Sequence, residues 1–167
     1  MARRKAPRSV VERTPLGYVL NLDREELDLL GRLMGELRGL LLADDPNAAP
    51  MLRRLFPPAY HLTDDAEAEA EYQRFMRDEL VASRLASLNS VEKALVERAP
   101  LDDEGMAGLV QSLNSVRLVL GTLLDVGEEH DPREVRDDDP LAGEHHLYSY
   151  LSWLLDASVT ALSQPGT

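Results

Sequence analysis

The chain contains no cysteine. That absence excludes disulfides, thiolate zinc sites, iron–sulfur ligation and thiol nucleophiles. Aromatic residues make up only 5%, with a single Trp, so a local concentration of them carries information about packing or recognition. Long apolar runs are also missing. The longest uncharged run inside an apolar helix, Gly105–Val116, has 12 residues and ends at Arg117. A membrane-spanning helix needs roughly 20. Met1–Arg13 is basic and polar with no apolar stretch behind it, so no signal peptide and no membrane role are expected. A cytoplasmic location is the simplest expectation.

Cations are outnumbered, 18 Lys and Arg against 30 Asp and Glu, for a net charge of -12. Five of those cations (Arg3, Arg4, Lys5, Arg8 and Arg13) stand within residues 1–13, beside one acid, Glu12. Residues 14–167 therefore hold 13 cations and 29 acids, a net of -16. A negative body repels nucleic acid and anionic membrane and favours basic protein surfaces. No helix bears a basic face fit for a major groove, and Arg53-Arg54 is the only cationic doublet outside the tail. Direct DNA contact is thereby left to the basic tail.

What is present reads as helices. The sequence divides into a disordered basic tail (1–9), a single helical domain (10–163) and a frayed end (164–167). Val10–Val11 and Tyr18–Leu22 flank Thr14-Pro15-Leu16-Gly17, whose Pro–x–Gly pattern allows a small N-terminal β-hairpin. Asp23 and Glu26 have capping-box spacing, and Leu27, Leu30, Leu33/Met34, Leu37 and Leu40/Leu41 follow at helical intervals. Gly31, Gly35 and Gly39 form a second stripe, which predicts close backbone packing in a helix crossing or a homodimer face.

A short helix is expected around Met51–Phe56, stopped by Pro57-Pro58. The next runs from about Asp64 to Arg98 with a bend or break near Asn89-Ser90, its apolar face including Tyr72, Phe75/Met76, Leu80, Leu85, Leu88, Val91 and Leu95. Asp102, Asp103 and Glu104 open a helix that is apolar on more than one side, which predicts the centre of the core. Asp139-Pro140 has the form of a helix start, followed by a last helix with Leu147, Leu151, Leu154/Leu155, Ser158 and Leu162 buried. The fold class is all-α, a compact bundle of about five helices.

Chemistry-bearing residues concentrate in 128–146, where His130, His145, His146 and Glu144 are candidate metal ligands. Neither His-Glu-x-x-His nor paired Glu-x-x-His spacing is present, and adjacent His145 and His146 point about 100° apart on a helix. A metal-binding bundle or metal-dependent enzyme using this region is the alternative reading; a solvated acidic loop ahead of a helix is the plainer one. No phosphate-binding glycine loop and no G-x-S-x-G elbow occurs, so no catalytic residue and no cofactor is expected. Tyr148, Tyr150 and Trp153 form the densest aromatic cluster and are the first candidates for partner binding, with Arg53 and Arg54 as a second patch. Core packing is the competing account of the aromatics.

Three stretches carry a family resemblance. They are Tyr18-Val19-Leu20 running into the Leu-rich Leu29–Leu42 helix, Met51–Pro57 with Ala59-Tyr60, and Leu113–Gly121 followed by Asp139-Pro140-Leu141 and the aromatic Tyr148–Leu155 helix. In this order, over roughly residues 10–163, the chain resembles the actinobacterial AosR family, long regarded as a domain of unknown function. The resemblance implies a cytoplasmic, non-enzymatic regulator of the oxidative-stress response. Such a regulator acts through a protein partner, an alternative sigma factor, on genes of cysteine biosynthesis. A cysteine pair has been proposed as the redox sensor within that family. This chain departs there, since without cysteine no thiol switch can operate in it.

Overall fold

The computed structural model describes residues 8–43, 55, 66–124 and 138–165. Among them the chain forms a two-stranded hairpin, β1 (Val11–Thr14) and β2 (Gly17–Leu20), and four helices. These are α1 (Arg24–Leu42), α2 (Ala66–Glu97), α3 (Asp103–Leu123) and α4 (Ala142–Ser163). Four rather than about five helices stand among the described residues. The short helix expected at Met51–Phe56 lies outside them, apart from Leu55, which is helical and buried. The basic tail through Pro7 also lies outside them. Among the described residues, no helix is long and apolar enough to cross a membrane.

The hairpin forms where the Pro–x–Gly turn predicts it. Its strands pair antiparallel from Val11↔Leu20 to Thr14↔Gly17. The Thr14 hydroxyl closes the turn, accepting from the Leu16 amide at 3.2 Å and donating to the Gly17 carbonyl at 2.8 Å. β2 is tied in turn to the α2–α3 junction. The Tyr18 amide donates to the Leu101 carbonyl at 2.7 Å, and the Leu101 amide donates back at 2.9 Å. Val11, Tyr18 and Leu101 are all buried, so the hairpin is a lid on one end of the core rather than an appendage.

α1 begins as its capping box dictates. The Asp23 carboxylate accepts from the Glu26 amide at 2.8 Å, and Glu26 accepts from the Asp23 amide at 2.9 Å. Leu30, Met34, Leu37 and Leu41 are its buried stripe. α2 departs from expectation in two ways. It stays helical through Asn89-Ser90. The Asn89 Oδ1 accepts from the Arg38 guanidinium of α1, which also pairs with Glu92 at 2.6 Å. Only the C-terminal half of α2 is core: Leu88, Val91 and Leu95 are buried, whereas Tyr72, Phe75 and Leu80 are exposed. At 1.5 Å per residue α2 is about 48 Å long, more than α1 or α3 can cover among the described residues.

α3 is the centre of the core, as its all-round apolar character predicts. It packs against α1, α2, α4 and β2, and Met106, Leu109 and Leu113 have no exposed surface. Its two buried glycines mark close helix approaches. A methyl on Gly108 would meet Ser87 of α2 at 3.5 Å, and one on Gly121 would meet the Tyr148 ring of α4 at 3.2 Å. Gly31, Gly35 and Gly39 mark no such crossing. Among the described residues nothing lies within 4 Å of where their Cβ atoms would be. At about 100° per residue they sit roughly 90–170° round the helix from the centre of the buried stripe Leu30, Met34, Leu37 and Leu41, on the side turned from the core.

α4 starts two residues later than Asp139-Pro140 suggests. Asp139 forms a turn, its carboxylate accepting from the Leu141 amide at 2.9 Å and its carbonyl from the Ala142 amide at 3.0 Å. Leu151, Leu154, Ser158 and Ala161 are then buried, with Leu147, Leu155 and Leu162 packed beside them.

Candidate functional site

The aromatic cluster of α4 divides into three roles. Tyr148 faces α3, its ring against Gly121 and 5.9 Å beneath the Arg117 guanidinium. Tyr150 points toward the start of α1, where its hydroxyl donates to Glu26 Oε1 at 3.1 Å. Glu26 thus serves twice, one carboxylate oxygen closing the capping box and the other holding Tyr150. Trp153, one turn further on, lies 5.9 Å from the Tyr150 ring and is 52% exposed. Core packing accounts for Tyr148 and in part for Tyr150. It does not account for Trp153, a large aromatic held at the surface by a tyrosine that is itself hydrogen-bonded to a neighbouring helix.

The electrostatics of this corner are negative. Partial burial, then the charge and hydrogen bond of Glu26, then the charge of Asp23 push the Tyr150 hydroxyl well above the ordinary tyrosine range. A raised folded-state value favours the neutral form. Its contribution to stability is therefore complete below about pH 10 and is lost as pH rises above that. Tyr150→Phe is expected to cost about 1 kcal/mol at neutral pH, discounted for partial exposure. It should also remove one tyrosine from those that ionise late, read as absorbance at alkaline pH. An unchanged alkaline titration would show that the hydroxyl does not hold Glu26.

Among the described residues, the hydrogen bond and ring contact that build this corner involve none of His145, His146 and Glu144. Arg53, Arg54 and His130 lie outside the described residues. His145 is half-buried on α4, while His146 and Glu144 are exposed. Among the described residues no three His, Asp or Glu side chains converge where they could hold a metal ion. Glu26 is the residue of this corner that sequence reading did not connect to the aromatic cluster. Its capping role was legible, but 124 positions separate it from Tyr150 and no local pattern reveals that pairing.

Residues 5–162 match the model of a family described as Domain of unknown function (DUF2017). No curated protein and no solved structure matches the chain.

Proposed function

We propose that this chain, which belongs to the DUF2017 family of domains of unknown function, is a non-enzymatic cytoplasmic regulator that works by binding a protein partner. Trp153 carries this reading: it is half exposed and braced by Tyr150, whose hydroxyl is bonded to Glu26 at the acidic start of α1. Tryptophan and tyrosine dominate interface energetics, and a braced ring loses little conformational freedom on binding. The net charge of -12 favours a basic partner surface and speeds encounter with it.

The resemblance to AosR regulators gives the partner a class, an alternative sigma factor in oxidative-stress transcription control. With no cysteine, the signal in this member would arrive by contact rather than by thiol oxidation. Any DNA contact would fall to the basic tail.

Titrating the purified chain with alternative sigma factors of its own host tests the reading. A saturable complex that tightens as salt falls is expected. Trp153→Ala should weaken it tenfold or more while shifting the stability of the free chain by no more than about 0.5 kcal/mol. Absence of a complex at low salt, or equal affinity of the Trp153→Ala variant, would remove the proposal.

A further inference from the structure

α1 and α4 both pack on α3 rather than on each other, and the Tyr150–Glu26 hydrogen bond bridges them at one end. Between them runs a groove of about 380 Å³. One wall is Leu33, Leu37 and Leu40 of α1, at i, i+4 and i+7. Val119 and Leu123 of α3 form the floor, and Leu147 of α4 the opposite wall. Leu123 is 55% exposed although it sits between two helices that could have covered it. Two polar residues stand on its lips, Glu36 on α1 and Glu144 on α4, both exposed. Among the described residues no cation lines the groove.

We infer that this groove docks one amphipathic helix of a basic protein partner, with an apolar stripe on the floor and Lys or Arg flanks against Glu36 and Glu144. The inference rests on the protein-binding reading above and adds a surface separate from Trp153. Helical ridges on both walls leave a furrow that a third helix can fill, and i, i+3, i+4, i+7 anchors are how a helix engages an apolar groove. Charge selects the occupant. A second copy of this chain would bring another net charge of -12 and the same acidic lips, so like charges would face each other. An uncharged apolar molecule would gain nothing from two opposed carboxylates. A cationic amphipathic helix uses both features at once.

The probe is a synthetic leucine–lysine peptide, about 18 residues long, with leucines at i, i+3, i+4 and i+7. Two controls accompany it: a scramble of the same composition without an apolar face, and a leucine–glutamate version. Fluorescence anisotropy at physiological salt should show saturable one-to-one binding, at least tenfold tighter than either control. Leu123→Glu should weaken it tenfold or more, whereas Val96→Glu, the same charge at an 84% exposed position on α2, should leave it unchanged. Glu36→Lys with Glu144→Lys should reverse the preference toward the leucine–glutamate peptide. All four substituted positions are exposed, and circular dichroism of each variant confirms that it folds.

Equal binding of the scramble, or full affinity in Leu123→Glu, would overturn the inference. So would a double variant with unreversed preference, or a self-dimer dissolved by Leu123→Glu. Peptide binding without any sigma-factor complex would sink the proposed function and leave the groove standing. A Trp153-dependent complex with no peptide binding would do the opposite.

Discussion

Gly17→Ala is expected to destabilise the fold by about 3 kcal/mol, from backbone strain and the contact it forces. Gly17 has φ +123°, a conformation that residues with a Cβ rarely adopt. Its added methyl would lie 2.5 Å from the Leu101 carbonyl oxygen and 3.1 Å from the carbonyl carbon. Both are backbone atoms, so no side-chain rotation relieves the clash. Relief requires the hairpin to back away from the α2–α3 junction, which breaks the paired Tyr18–Leu101 hydrogen bonds and uncovers Val11, Tyr18 and Leu101. Urea unfolding followed by circular dichroism measures the loss. Leu16→Ala, one residue away and 84% exposed, is the neutral comparison. Equal midpoints for the two variants would show that the hairpin does not depend on this contact.

The triple variant Gly31→Ala, Gly35→Ala and Gly39→Ala should move stability the other way, by about 2–3 kcal/mol. Each alanine removes a helix penalty of roughly 0.8–1.0 kcal/mol, partly through the unfolded chain. The gain is realised because each methyl enters open space among the described residues. Were these glycines seats for another helix, the same substitutions would cost stability or weaken self-association. Thermal unfolding reads the first effect and sedimentation the second. A lowered midpoint would restore the helix-crossing reading, and a loss of dimer would assign the stripe to a homodimer face.

The contrast between glycines shows where sequence reading stops. Three glycines in register on α1 were conspicuous, yet Gly108 and Gly121, unrelated by any period, are the ones at helix crossings. A glycine stripe tells only that backbone could come close. Whether another helix arrives depends on the rotation of α1 about its axis, which Leu30, Met34, Leu37 and Leu41 set by entering the core. The continuity of α2 through Asn89-Ser90 has a similar reason. Asn89 is a poor helix former in isolation, but Arg38 of another helix occupies its side chain.

The candidate surface was legible to the same limited depth. Tyr148, Tyr150 and Trp153 stood out by composition alone, and sequence could not say which of them was exposed. Positions 148 and 150 fall on different sides of a helix, and only the placement of α3 and α1 turns one ring toward Gly121 and the other toward Glu26. The apolar residues Leu33, Leu40 and Leu147 read as core. They are only partly buried and line an open groove, because α1 and α4 pack on α3 and leave a furrow between themselves.

By itself the sequence determined the four described helices to within a few residues, the hairpin turn, the Asp23–Glu26 cap, the central place of α3 and the acidic character of the whole. Each of these depends on residues within about four positions of one another, or on a sum over the chain, so neighbours in sequence suffice. The tertiary structure alone decided which glycines are crowded, which aromatic is presented and where an apolar groove stays open. Those depend on distances between helices that no local period encodes.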